Sequence, residues 1–128
     1  MDGISDSQLI AALRRQMTVA SARQVATTGN LANYDTPGYK TKEVSFESML
    51  GQKMLPMTGT RKGHIGTSTS TSVPVVETQG LAERRDGNNV QLDRELLNMN
   101  QASGDFAAAQ TALSAKFRLV RYALNESK

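Results

Sequence analysis

Apolar residues recur every three or four positions in two long stretches at opposite ends of the chain, and the stretch between them is polar. Such spacing places the apolar side chains on one face of a helix, which predicts a long helix at each end. The first helix is expected to begin near Asp6 and to end at Asn33. Its face, which we call the N-terminal seam, has the alternating steps of three and four that are typical of coiled coils: Ile10, Leu13, Met17, Ala20, Gln24, Thr27 and Leu31.

The second helix is expected to start between Gln91 and Arg94, and its seam is more apolar than the first. A polar side chain inside such a seam can set the register of the pairing, a role we expect for Gln110. The C-terminal seam consists of Leu92, Leu96, Met99, Ser103, Phe106, Gln110, Leu113, Phe117, Val120 and Leu124.

A turn is predicted directly after the first helix. Pro37 presets φ for the second position of a turn, and Gly38 accepts the positive φ that a type II turn needs next. Thr36 precedes proline and is therefore expected to be extended. Asn33 suits a left-handed helix cap, and the short polar side chains around it can satisfy the last helical carbonyls.

The middle of the chain carries few apolar residues. Residues 51–80 are rich in Gly, Ser, Thr and Lys, which predicts a loop, and Pro74 confines residues 73–76 to an edge strand or an isolated extended segment. Residues 86–89 predict a second turn. We therefore expect a mainly α fold with little β, in which residues 1–35 and 91–128 pair as a helical hairpin and residues 36–90 form an irregular middle. An ordinary small helical bundle is the alternative, but no third helix is evident.

Composition excludes several classes of function. The chain of 128 residues has no cysteine, one histidine and a net charge of +3. The lone His64 lies in the polar loop without a second ligand, so neither a metal site nor a catalytic constellation is predicted, and no cofactor is expected. The small basic excess leaves a nucleic-acid binder as a weak alternative. No apolar run is long enough to span a membrane, and residues 1–6 do not resemble a Sec-type signal peptide.

Two motifs resemble those of a known family. The string Asn30-Leu31-Ala32-Asn33, followed by Asp35-Thr36-Pro37-Gly38-Tyr39, resembles the signature of bacterial flagellar rod and hook axial proteins. The run Gly87-Asn88-Asn89-Val90-Gln91-Leu92-Asp93-Arg94-Glu95-Leu96 is similar to a segment of FlgB-type rod proteins. The chain lacks the Tyr-x-Ala-Asn motif of the sibling proteins in its last helix. Departures from the rod pattern are Gln91, Leu96 and Phe106.

The resemblance implies a structural, non-enzymatic subunit of the proximal rod in the periplasm, which serves motility. Its implied partners are copies of itself, other rod proteins, and the adaptor and export-gate proteins below the rod. Export would use the flagellar type III system without a cleaved signal, and Phe46 and Leu50 resemble an export-gate recognition element. The first motif would fix a corner, and the seams would order on meeting neighbours in a helical array. A non-flagellar coiled-coil adaptor or secretion-apparatus subunit is the alternative, and a sibling rod protein is a further one.

Overall fold

The computed structural model describes residues 6–45 and 73–126. In chain order the elements are α1 (Asp6–Ala32), β1 (Lys42–Val44), β2 (Val75–Glu77) and α2 (Leu92–Glu126). At 1.5 Å per residue, α1 is about 40 Å long and α2 about 52 Å. The predicted fold class, mainly α with two long terminal helices and little β, is confirmed.

The two helices pack against each other in antiparallel directions. Asp6, at the start of α1, forms an ion pair with Lys116, with 2.7 Å between Oδ1 and Nζ. Arg23 pairs with Asp105 at 3.6 Å, and Asn30 near the end of α1 donates to Glu95 at the start of α2. These three contacts run in opposite directions along the two helices, so the predicted hairpin of terminal helices is present.

Small side chains form the closest part of the contact between the helices. Ala20 of α1 and Ala102 and Ala109 of α2 are each at most 2% exposed. In α1 the N-terminal seam lies on the partly or fully buried side at all seven positions. Small residues let two helix backbones approach closely, so this packing needs little apolar volume.

In α2 the buried row differs from the predicted seam. The two share Met99, Phe106 and Leu113, but the buried row also contains Glu95, Ala102, Ala109 and Lys116. The half-buried residues beside this row are Arg94, Asn98, Asp105 and Ala115. The close approach to α1 selects the two alanines and turns the larger neighbouring residues outward. The seam residues that are exposed are Leu92, Leu96, Ser103, Gln110, Phe117, Val120 and Leu124. Because Gln110 is exposed, it does not set the register of this helix pair, contrary to our expectation.

The C-terminal part of α2 extends past the first described residue of α1. Lys116 lies beside Asp6, and α2 continues to Glu126. This segment, residues 117–126, is about 15 Å long at 1.5 Å per residue, and we call it the overhang. Its large apolar side chains Phe117, Leu119, Val120, Tyr122 and Leu124 are 41% to 68% exposed.

A two-stranded antiparallel ribbon packs against α1 near the end of that helix. Val44 lies opposite Val75, and Lys42 lies opposite Glu77. The predicted extended segment at residues 73–76 is thus a strand that begins after Pro74. None of the described helices is long and apolar enough to span a membrane.

Polar side chains dominate the interior of the described part of the chain. The apolar residues below 9% exposure are Ala20, Val90, Ala102 and Ala109, three of which are alanine. The buried polar or charged set is larger and consists of Thr27, Asn30, Thr41, Thr78, Asn88, Asn89 and Glu95. Burying such groups costs free energy unless they are hydrogen-bonded, so the fold depends on where these bonds go.

Candidate functional site

The two sequence motifs, at residues 30–39 and 87–96, lie against each other where α1 ends and α2 begins. We call this region the corner. The amide of Gly38 donates to the carbonyl of Asp86 at 2.8 Å, and the amide of Asn89 donates to the carbonyl of Tyr39 at 3.3 Å. The structure therefore brings together segments that are about fifty positions apart in the sequence.

The predicted turn after α1 is present. The amide of Tyr39 donates to the carbonyl of Thr36 at 3.3 Å, and Gly38 has φ +72°. With Pro37 at the second position, this is the geometry of a type II turn. Gly87 in the second motif has φ +80°, and a Cβ added there would lie 3.5 Å from the Cα of Gly38. The two turns thus meet through two glycines, each of which adopts a conformation that L side chains rarely take.

Asn30 makes every hydrogen bond that a carboxamide can make. Its Nδ2 donates to the carbonyl of Lys42 and to Oε2 of Glu95, each at 2.8 Å. Its Oδ1 accepts from the amide of Lys42 at 2.9 Å and from the hydroxyl of Tyr39 at 3.2 Å. One helical side chain therefore joins α1 to β1, to the turn and to α2.

Glu95 and Tyr39 complete this buried network. Glu95 is 1% exposed, and its carboxylate is held by Asn30. Burial of the Tyr39 hydroxyl, together with the negative charge of Glu95, raises the pKa of Tyr39 above its ordinary value of 10.0. The sequence marked Glu95 as part of the second motif but not as a buried residue. The signal for its burial is that it lies four residues before Met99 and seven before Ala102, on the buried row.

Asn88 binds the chain segment that leaves α1. It is fully buried, and its Nδ2 donates to the carbonyls of Asn33, Tyr34 and Thr36 at 2.8 to 3.0 Å. Its Oδ1 accepts from the amide of Val90 at 2.8 Å. A single side chain thus satisfies carbonyls that follow a helix end and have no helical partner.

Asn89 and Arg84 make the second set of contacts between the motifs. Oδ1 of Asn89 accepts from the amide and from the hydroxyl of Thr41, at 2.7 and 2.9 Å. Arg84 lies over the ring of Tyr34 at 3.9 Å and donates to the carbonyls of Tyr34 and Val90. Neither Arg84 nor Thr41 stood out in the sequence, because no local pattern marks a residue whose partner lies about fifty positions away, as Tyr34 does from Arg84 and Asn89 from Thr41.

The expected left-handed cap at Asn33 is wrong, because no non-glycine residue in the described ranges has a positive φ. Asn33 closes the helix through its side chain instead. Its Nδ2 donates to the carbonyl of Gly29 at 2.8 Å, and its Oδ1 accepts from the hydroxyl of Thr36 at 3.1 Å. The second expectation, that short polar side chains satisfy the last carbonyls, is therefore confirmed.

The other predicted positions fall outside this network. Ala32 is the exposed last residue of α1, and Asp93 is exposed in the first turn of α2. Arg94 forms an ion pair with Glu43 at 3.2 Å. Phe46 and Leu50 of the suggested export element lie outside the described residues, as do His64 and residues 51–72 of the predicted loop.

The corner joins α1, the ribbon and α2 through hydrogen bonds within the chain. The motif side chains with a structural role here bond to main chain or to each other, and the carboxylate of Glu95 is bound rather than presented to solvent. Within residues 6–45 and 73–126, no group of three or more His, Cys, Asp or Glu side chains could hold a metal ion. The arrangement fixes the angle and register between α1, the ribbon and α2.

Proteins that are similar in sequence over most of this chain come from bacterial flagella. The chain is 30% identical to the flagellar basal body rod protein FlgB of Bacillus subtilis, over 91% of this chain and 92% of the relative. It is 31% identical to FlgB of Escherichia coli, over 87% of this chain and 91% of the relative. The chain belongs to the FlgB family of flagellar basal body rod proteins. FlgB of Buchnera aphidicola is 25% identical over 87% of the chain, and no protein-family model matches.

The matched region spans 91% and 87% of the chain in these two comparisons, so it includes both motifs of the corner and most of each helix. The resemblance read from residues 30–39 and 87–96 is therefore confirmed at the level of the family. The contribution of each seam residue to assembly stays a prediction.

Proposed function

We propose that this chain is a structural subunit of the flagellar basal-body rod, which joins copies of itself and other axial proteins in a helical array that transmits torque. The observation that carries the proposal is the near full-length similarity to proteins named as flagellar basal body rod proteins. Nothing in the described residues favours an enzyme: the buried polar groups of the corner serve the fold.

The division of surfaces supports an assembly role. The corner satisfies its polar groups within the chain, whereas the overhang and the exposed C-terminal seam residues Leu92 and Leu96 present large apolar side chains to solvent. Apolar side chains gain about 1.5–3 kcal/mol each when they are fully buried, so these surfaces favour contact with neighbouring subunits. A contact between two different surfaces of one protein does not close as a two-fold dimer and generates an open helical array wherever its rotation does not close a ring.

The finer parts of the proposal follow from the family resemblance. We assign the subunit to the proximal rod in the periplasm, above the adaptor and export-gate proteins, after export through the flagellar type III system without a cleaved signal. In this account the seam residues, such as Phe117 and Val120, contact neighbours. The corner holds α1 and α2 at a fixed angle, so that load passes through the helices without changing the shape of the subunit.

A deletion and complementation experiment tests the proposal. Cells without the gene are expected to lose motility and to regain it with the intact gene, and the chain is expected in purified basal bodies. Motility that persists without the gene would contradict the proposal. Recovery of the chain only with the export apparatus, and not with the rod, would favour the alternative of a secretion-apparatus subunit.

The corner offers a sharper test through Gly38. Gly38→Ala forces a side chain into a left-handed backbone conformation and is expected to cost about 1–2 kcal/mol of stability at the turn. We expect incorporation into basal bodies to fall more than secretion into the medium, both measured by immunoblot. Gly104→Ala is the matched control, because Gly104 lies inside α2 and an added Cβ would enter open space. Secretion that fails before incorporation would show that the turn serves export.

A further inference from the structure

A polar cleft of about 280 Å³ lies where α1, α2 and the ribbon meet. Small side chains, Ala26 and Ala102, form part of its lining, and the carboxamides of Asn98 and Gln101 line it from α2. Pockets that enclose cofactors or drug-sized ligands usually measure about 300–1,000 Å³, so this cleft suits a smaller or elongated group.

Several polar groups of the cleft lack a partner within the described chain. The hydroxyl of Thr78 is buried, and no described residue forms a hydrogen bond with it. The side chains of half-buried Asn98 and exposed Gln101 form no hydrogen bond with the described residues, so their carboxamide donors and acceptors are available in the cleft. Buried polar groups are nearly always paired, so the Thr78 hydroxyl in particular marks the cleft as a place where a group beyond the described residues can bind.

The outer edge of β1 adds a main-chain pair to the same cleft. The amide of Thr78 donates to the carbonyl of Thr41, and the amide of Ser45 donates to the carbonyl of Pro74, which fixes the pairing pattern of the ribbon. Because hydrogen-bonded and non-bonded pairs alternate in an antiparallel ladder, Lys42 and Val44 direct their amides and carbonyls away from β2. Asn30 occupies the position of a third strand at Lys42. No described residue does so at Val44, which lines the cleft.

We propose that this cleft binds an extended main-chain segment of a neighbouring copy, which pairs with the edge of β1 at Val44, where Asn30 no longer covers it. The inference rests on the proposed rod function. A peptide main chain carries alternating donors and acceptors. The amide and carbonyl of Val44 and the carboxamides of Asn98 and Gln101 offer matching acceptors and donors. An anion fits less well, because the lining arginines Arg23 and Arg94 are already paired with carboxylates and Lys42 lies over the ring of Tyr39. The outer edge of β2 is a poorer site, since Pro74 and Glu77 disfavour strand addition.

Thiol labelling in purified basal bodies tests occupancy of the cleft. The chain has no cysteine, so Asn98→Cys introduces a single thiol in the cleft, and Asn100→Cys introduces one at an exposed position in the same turn of α2 that does not line the cleft. We expect maleimide to label both variants in the purified chain and to lose labelling at position 98 on assembly, with less loss at position 100. Labelling at position 98 that is equal before and after assembly would overturn the inference.

Two proline variants test whether main chain is what binds. Val44→Pro removes an amide that points into the cleft, whereas Val75→Pro, directly opposite in the ribbon, removes one that points to the other edge. Neither amide takes part in the ladder, so both variants are expected to keep the ribbon. Incorporation into basal bodies should fall for Val44→Pro and persist for Val75→Pro. Equal incorporation of the two variants would contradict strand addition at β1.

Thr78→Val separates stability from assembly. It replaces the unpartnered hydroxyl with a methyl group of similar shape, so the melting temperature of the purified chain is expected to rise while incorporation falls. A lower melting temperature would show that the hydroxyl has a partner within the chain and would overturn this part of the inference. Absence of the unmodified chain from basal bodies would instead contradict the proposed rod function, so the two failures are distinguishable.

Discussion

The corner and the helix pair differ in where their side chains find partners. At the corner, buried Asn30, Asn88, Asn89 and Glu95 are hydrogen-bonded within the subunit. Along the helices, the close contact consists of small residues, and large apolar side chains face outward. A region whose groups are satisfied internally defines the shape of the subunit, whereas a region that leaves apolar area exposed depends on neighbours to cover it.

This difference explains why the two motifs are short and the seams long. A carboxamide such as Asn30 has a fixed set of donors and acceptors, and each must be matched at a defined distance. Apolar contacts are less directional, so a seam tolerates exchange among residues of similar size. We therefore expect substitutions at the corner to act on the folded subunit and substitutions on the overhang to act on the assembly.

The largest effect on stability is expected for Asn30→Ala. It leaves the buried carboxylate of Glu95 without its hydrogen bond, and it leaves the amide and the carbonyl of Lys42 without their partner. Loss of one partner of a buried charged group typically costs about 3–5 kcal/mol, which should appear as a lower denaturant midpoint in chemical unfolding. Asn98→Ala is the matched control, because this asparagine of α2 is only partly buried. Equal destabilisation by the two variants would show that the network at Asn30 contributes nothing specific.

A smaller effect is expected where the helices meet. Ala109 is 2% exposed in the contact between the helices, so Ala109→Leu places a larger side chain in a packed space. Overpacking of this kind costs about 1–3 kcal/mol of stability. Ala108→Leu makes the same change at the exposed neighbouring position and should be nearly neutral. Thermal unfolding followed by circular dichroism checks both variants. If Ala109→Leu is as stable as Ala108→Leu, the helices do not pack through this alanine.

The sequence predicted the elements better than it predicted their contacts. Helix starts and ends, the type II turn and the edge strand follow from local rules, because capping, Pro-Gly and apolar spacing act within a few residues. The pairing of Asn30 with Glu95 could not be predicted in this way, since the two are 65 positions apart. The buried row of α2 was predicted partly wrong for a related reason. Periodicity identifies a helix face that favours burial, but the contact with α1 decides which residues of α2 are buried.

Tyr39 gives a still smaller effect, and one that depends on pH. Tyr39→Phe removes a hydrogen bond to Asn30, which is expected to cost about 1 kcal/mol at neutral pH. Because the pKa of Tyr39 is raised in the folded chain, its neutral form stabilises the fold below pH 10.0 and this contribution is lost as pH rises further. The difference between Tyr39→Phe and the unmodified chain should therefore shrink above that pH in chemical unfolding. A difference that is constant with pH would contradict this role.

The smallest effect on the isolated subunit is expected on the overhang, where the largest effect on assembly is expected. Phe117 is 56% exposed, so Phe117→Ser should change the free energy of unfolding by no more than about 0.5 kcal/mol. Loss of one apolar side chain from an interface costs about 1.5–3 kcal/mol. That corresponds to a roughly ten- to hundredfold loss of affinity. Leu97→Ser is the control, because Leu97 is 57% exposed but lies outside the predicted seam.

The most direct test of the central claim is the amount of Phe117→Ser in purified basal bodies, relative to the amount secreted. We predict that incorporation falls sharply while secretion and the stability of the purified chain stay unchanged, and that Leu97→Ser is incorporated normally. Full incorporation of Phe117→Ser would contradict the claim that the overhang is covered by neighbouring subunits.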